Sequence, residues 1–119
     1  MRTYKAVFSD IDGTLLTSEH IVSTATIEAI ASLQKKNIPF VIISSRSASC
    51  IYPILKKHHF QCPIVACGGA WIEDMNGRIL SNEGMSKQTA ATVIEFMTEK
   101  KFDLAWGIYS GKNWITNDR

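Results

Sequence analysis

The sequence predicts an α/β protein built on a doubly wound parallel sheet. Three observations carry that prediction. Short apolar runs alternate with segments of helical periodicity through the first half of the chain. The run Phe40-Val41-Ile42-Ile43 is nearly all apolar, as expected of a parallel strand covered on both faces. Acidic and hydroxyl residues follow the runs directly, at the strand carboxyl ends where such sheets bind ligands.

Lys5 to Asp10 is the first predicted strand, centred on Ala6-Val7-Phe8. A helix is expected from about Thr24 to Lys36, with Ser23 as its N-cap and Ile27, Ile30 and Ala31 on one face. Asn37 closes it in the left-handed conformation and leaves Pro39 outside. Phe40 to Ile43 is the second strand. A second helix spans about Ser49 to His59, with Ile51, Ile54, Leu55 and His58 at helical spacing. Pro53 is placed near its first turn, where backbone N–H groups lack helical partners.

Ile64 to Cys67 is the third strand. Beyond Gly68-Gly69, the run Ala70 to Glu73, the pair Asn76-Gly77 and the run Arg78 to Leu80 read as a β-hairpin with a type I′ turn. A linker near Ser81 to Gly84 leads to a helix from about Lys87 to Lys101, striped by Ala90, Val93, Ile94 and Met97. Leu104 to Tyr109 and Trp114 to Thr116 read as strands around Ser110-Gly111. There is no internal repeat and no low-complexity segment.

At 119 residues the chain suits one modest domain with a real core. Hydrophobic content of 45% and charged content of 20% are those of a globular protein. No apolar stretch approaches the roughly 18 residues of a membrane span, so no membrane partner is expected. Met1 to Lys5 runs into a strand without the apolar core of a signal peptide, which makes a cytoplasmic location the expectation. Cys50, Cys62 and Cys67 are odd in number and lack Cys-x-x-Cys spacing, so buried free thiols are expected. A net charge of +2 is too slight to argue for nucleic acid. The Lys-Lys pairs at 35–36, 56–57 and 100–101 fall at predicted helix carboxyl ends, where cations suit the dipole. His20, His58 and His59 form no triad with a nucleophile. Trp71 fits a hairpin face, and Trp106 and Trp114 fit the core of the later segment.

The chemistry-bearing segment is Asp10-Ile11-Asp12-Gly13-Thr14. Strand alternation sends positions i and i+2 to the same side, so Asp10 and Asp12 are expected to converge on one small ligand. Gly13 lets the backbone turn and Thr14 supplies a hydroxyl. The pattern Asp-x-Asp-Gly-Thr arises by chance in about one chain in a thousand of this length. An ordinary Asx turn is the plain alternative. Ser44-Ser45-Arg46 closes the second strand, and its plain alternative is a strand-to-helix loop with serine as a cap.

The first of these segments resembles motif I of the haloacid dehalogenase (HAD) superfamily. That resemblance implies that Asp10 attacks phosphorus to give an aspartyl-phosphate, and that Asp12 protonates the leaving oxygen and then activates water. It also implies Mg²⁺ on the Asp10 side chain and the Asp12 backbone carbonyl, a hard ion on oxygen ligands. Ser44-Ser45-Arg46 stands where similar proteins carry Thr-Gly-Arg, which implies a phosphate-binding set of Gly13, Ser44, Ser45 and Arg46. Ser45 in place of glycine crowds the close backbone approach that glycine permits.

Cys67-Gly68-Gly69-Ala70 occupies the place where the Cof-like branch carries Asn-Gly-Ala, with Gly68 replacing the asparagine. The order of segments is similar to that of the Cof-like phosphatases, which insert a large α/β cap after the third strand. The resemblance then implies a doubly wound, Rossmann-like sheet that is incomplete. Residues 1–80 form the front of the catalytic core and residues 81–119 the start of the cap. The later lysine and the Gly-Asp-x-x-Asn-Asp segment have no counterpart; Asn117-Asp118 falls inside the expected cap.

The expected function is that of a Mg²⁺-dependent phosphatase of small phosphorylated metabolites. We expect the front portion of a longer enzyme, with little turnover, weak Mg²⁺ binding, and an open first-strand edge prone to self-association. A phosphomutase shares motif I. A non-catalytic binding or assembly domain is the alternative from another class. A receiver-type signalling domain is a third, which the hairpin after strand three does not fit.

Overall fold

The computed structural model describes residues 4–101, 103–111 and 113–117. The expectations that fall on Met1 to Thr3 and on Asp118 lie outside the described residues. The chain divides into two compact units, Met1–Asn82 and Glu83–Arg119.

The first unit contains β1 (Val7–Ser9), α1 (Thr24–Lys35), β2 (Phe40–Ile43), α2 (Ala48–Lys57), β3 (Ile64–Ala66), β4 (Trp71–Glu73) and β5 (Ile79–Asn82). The five strands form one mixed sheet in the order β1-β2-β3-β4-β5. The pairs β1/β2 and β2/β3 are parallel, with Val7 opposite Phe40 and Ile42 opposite Ile64. The pairs β3/β4 and β4/β5 are antiparallel. This is the α/β class that the alternation of runs and helices predicted.

One core joins Phe40, Ile42, Ile64 and Ala66 of the sheet to Ile30 of α1 and Ala48 and Ile51 of α2. Both helices therefore pack on the same face of the sheet. Two right-handed crossovers advancing in one direction require that arrangement. On the opposite face Val41 is buried, while Phe8 is 61% exposed and Ile43 40% exposed. The expectation of strands covered on both faces is corrected: among the described residues, α1 and α2 cover only one.

Helix α1 starts as its sequence dictates, with the Ser23 hydroxyl accepting the Thr26 N–H at 3.2 Å. It ends with Asn37 at φ 55° and the Ile38 N–H donating to the Leu33 carbonyl, a left-handed closure. Ala31 is exposed, and Ile27 and Leu33 flank Ile30 on the buried face instead. In α2, Pro53 lies in the second turn rather than near the first, so the helix forgoes the bond to the Ser49 carbonyl.

The hairpin forms, but not through a type I′ turn. The Gly77 N–H donates to the Asp74 carbonyl at 3.1 Å, and Gly77 alone within the turn is left-handed, at φ 78°. The Asp74 carboxylate accepts the Asn76 and Arg78 N–H groups, so Asn76 is held out of the positive-φ region that type I′ needs. A register shift at Ile72/Glu73 completes the bulge-type closure. Strand β5 continues through Ser81 and Asn82, where a linker was expected. Of the cysteines, all free, only Cys62 is buried, and burial pushes its thiol up to about 11.

The second unit contains α3 (Lys87–Glu99), β6 (Gly107–Ser110) and β7 (Asn113–Thr116). The Ser86 hydroxyl caps α3 by accepting the Thr89 N–H. Strands β6 and β7 pair antiparallel, with the Tyr109 and Trp114 rings 4.6 Å apart. A methyl group on Gly107 would run into the Trp114 ring, so glycine lets the ring lie close to the backbone of β6. Val93 is exposed rather than part of a buried stripe, and no α3 residue is buried. Among the described residues, no helix is long and apolar enough to cross a membrane.

Candidate active site

Strand β1 ends at Ser9, and Asp10 continues it in extended geometry while its Oδ1 accepts the Ile11 N–H at 2.7 Å. From there the chain enters a tight irregular turn, Ile11–Leu15, closed by the Leu15 N–H on the Asp10 carbonyl. Gly13 stands at φ 74°, a conformation that costs any side chain with a Cβ. Ile11 and Leu15 anchor the turn in the core and so fix the direction in which Asp10 leaves the sheet.

Asp12 lies inside this turn, beyond the strand, so the alternation rule does not govern it. Its carboxylate takes a two-pronged bond from the Arg46 guanidinium: Nε to Oδ2 at 2.8 Å and Nη2 to Oδ1 at 2.7 Å. The Arg46 hydrogen bonds hold the Asp12 carboxyl below the usual carboxylate range. Asp12 thus pairs with Arg46 and links the two loops, and its direction is set by the turn rather than by strand alternation.

Strand β2 delivers Ser44, which is 4% exposed. Its N–H donates to the Val65 carbonyl at 2.9 Å, and its own carbonyl accepts the Gly68 N–H at 3.0 Å. Its Oγ accepts the Arg46 N–H at 3.1 Å, a local turn rather than a helix cap. Ser47 occupies the N-cap position of α2. The Cys67 N–H donates to the Arg46 carbonyl at 2.8 Å, which ties the loop after β2 to the loop after β3.

These loops frame an open cleft of about 490 Å³ at the carboxyl ends of the parallel strands, lined by Phe8, Ser9, Asp10, Ile43, Ser44, Ser45 and Gly68. Three of the expected site residues, Asp10, Ser44 and Ser45, therefore share one cleft. Asp12, Gly13 and Arg46 sit beside it rather than in its wall. Four lining residues, Phe8, Ser9, Ile43 and Gly68, were not among the expected site residues, and two of them bring polar or backbone groups. Ser9 donates its hydroxyl to the Asp10 carbonyl at 2.8 Å, and its place next to the aspartate was the available signal. Gly68, noted only for replacing an asparagine, brings backbone at φ 64° into the wall.

A family model described as haloacid dehalogenase-like hydrolase matches residues 7–119. The chain belongs to that family. Over 73 residues it is 48% identical to a Haemophilus influenzae protein named as a candidate phosphatase, covering 61% of this chain and 28% of that protein. It is 26% identical over 98 residues to the pyridoxal phosphate phosphatase YbhA of Escherichia coli, covering 82% of this chain and 36% of that one. A HAD-like hydrolase from B. subtilis superposes with a TM-score of 0.87 at 24% identity, over 97% of this chain and 40% of the other. This HAD-family chain thus spans well under half the length of these relatives. The resemblance to the HAD superfamily and its Cof-like branch is borne out, as is the fold class.

Proposed function

We propose that this chain is the front portion of a Mg²⁺-dependent phosphatase acting on a small phosphorylated metabolite. One observation supports it above the others: a carboxylate, Asp10, shares a cleft with the hydroxyls of Ser44 and Ser45 at the carboxyl ends of adjacent parallel strands. Asp10 is the nucleophile that takes the phosphoryl group from the ester oxygen. Asp12 gives a proton to that oxygen and later takes one from the attacking water. Ser44, Ser45 and the backbone at Gly13 receive the phosphate oxygens. Arg46 adds positive charge once phosphate draws it from Asp12.

The donors at this site fit Mg²⁺, because the Asp10 carboxylate and the Asp12 carbonyl are hard oxygens at the same loop. Bound there, the ion would neutralise charge on the transferring phosphoryl oxygens. Among the described residues no group of three or more His, Cys, Asp or Glu gathers, so we propose that the ion is held weakly by this chain. The first unit, through Asn82, is the front of the catalytic core, two residues beyond the expected boundary at 80, and the second unit is the start of a cap. Phosphorylated metabolites carry charge and stay inside cells, so the cytoplasm is the proposed location.

The test is hydrolysis of an aryl phosphate with and without Mg²⁺, beside Asp10→Asn. We expect weak turnover that needs Mg²⁺ and vanishes in the variant. Turnover that survives in Asp10→Asn contradicts the proposal. One observation favours a second reading, an assembly domain: the exposed Phe8 and Ile43 on the uncovered sheet face, beside the β1 edge. Stable dimers whose properties ignore Asp10→Asn would favour that reading.

A further inference from the structure

At the other end of the sheet from Asp10, an open cavity of about 1150 Å³ lies against the amino ends of β2 and β3. Its walls include Phe40, Leu55, Phe60 and Ile64, with Asp74 and Lys56 among the polar groups. Glu73 of β4 also lines it, although this side chain is 4% exposed. Glu73 stands opposite Ile64 in the ladder, on the helix-covered face.

The arrangement of donors on Glu73 is lopsided. The Tyr52 hydroxyl donates to Oε1 at 2.5 Å, and the Trp71 indole N–H donates to the same oxygen at 2.7 Å. Oε2 receives no hydrogen bond, yet no buried side-chain oxygen among the described residues is both enclosed and unpartnered. Oε2 is therefore not fully enclosed, and the cavity that Glu73 lines is the space we assign it to. Among the described residues no ion pair is made by Glu73, including with Lys56. Both donors to the carboxylate are neutral, and a buried anion is costly without a cation in contact with it.

We propose that this cavity binds a small organic amine, with its ammonium on Glu73 Oε2 and its apolar body against Phe40, Leu55 and Phe60. An ammonium donates a charge-assisted bond to the free oxygen. Aliphatic and aromatic walls around a few placed polar groups are the usual makeup of a small-molecule site. Tyr52 and Trp71 act as positioning residues, because they hold the carboxylate rotamer that turns Oε2 outward. The site is separate from the phosphate cleft and does not depend on the phosphatase proposal.

The test uses the ¹⁵N-labelled chain, titrated with phenethylamine and, separately, with the neutral isostere 2-phenylethanol. We expect saturable movement of the Trp71 indole N–H signal with the amine, and an affinity about tenfold above that of the alcohol, as one charged hydrogen bond supplies. Glu73→Gln should erase that difference while circular dichroism stays native. If the variant does not fold, the comparison of the two probes on the unaltered chain decides alone. Equal affinity for both probes, or no movement of the Trp71 signal with the amine, overturns the proposal.

Discussion

Arg46 and Asp12 form a bidentate pair in partly exposed surroundings, so its contribution to stability is small. Its effect on protonation is larger. Hydrogen bonding to Arg46 lowers the Asp12 pKa, and Arg46→Ala should return it upward toward 3.8, read by carboxylate NMR titration. A proton donor needs the opposite shift, so the proposed acid role requires Arg46 to leave Asp12 when phosphate arrives. The sequence showed the two residue types but not their pairing, because the strand rule was carried past the end of β1. His58 offers a second test. Its Nε2 accepts the Val22 N–H at 3.3 Å, and burial, followed by the charges of Lys57 and His59, lowers its pKa below 6.5. A lowered folded pKa gives stability that is present above the unfolded value and is lost as pH falls through the folded one. Melting temperature should therefore drop as pH falls below about 6.5, and His58→Gln should flatten that dependence. A pH-independent Tm in the unaltered chain would contradict this.

Helices were legible as elements because their caps and apolar faces are local signals. Ser23 and Asn37 close α1 where their side-chain chemistry places them, and the Lys-Lys pairs stand at the ends of α1, α2 and α3. The face of α1 was misread at Ala31, since a small apolar residue is compatible with either side of a helix. Ile30, almost wholly buried between α1 and the sheet, carries the packing. Ile30→Ala should cost about 2–5 kcal/mol in urea unfolding, whereas Ala31→Ser should cost little. The hairpin turn was misread because Asn-Gly signals type I′ only when nothing else competes. Here Asp74 caps the turn with its own carboxylate. Gly77→Ala should destabilise the hairpin by about 1 kcal/mol, because alanine is strained at φ 78°.

Across the whole first unit, the apolar strand runs correctly announced a parallel sheet but could not say which faces would be covered. Coverage depends on where the crossovers lead, and α1 and α2 lead to the same face. Phe8 and Ile43 are consequently exposed, and β1 pairs only with β2 among the described residues. Such an edge and face favour association. Size-exclusion chromatography with light scattering should show mass rising with concentration, and Phe8→Lys should suppress the rise; a strictly monomeric unaltered chain would contradict this. The cleft was legible to the same extent. Asp10 and Ser44 followed from strand ends, and Ser9 could have been found from its place beside Asp10, while Gly68 depended on loop geometry that no local pattern encodes.

Phosphoryl transfer to Asp10 is the claim on which the function rests. The most direct measurement is to incubate the chain with acetyl phosphate and Mg²⁺, quench in acid, and map the phosphoryl adduct by peptide mass. We expect an adduct on Asp10 that needs Mg²⁺ and is lost in Asp10→Asn. An adduct that persists in Asp10→Asn, or none at all on the unaltered chain, would contradict it.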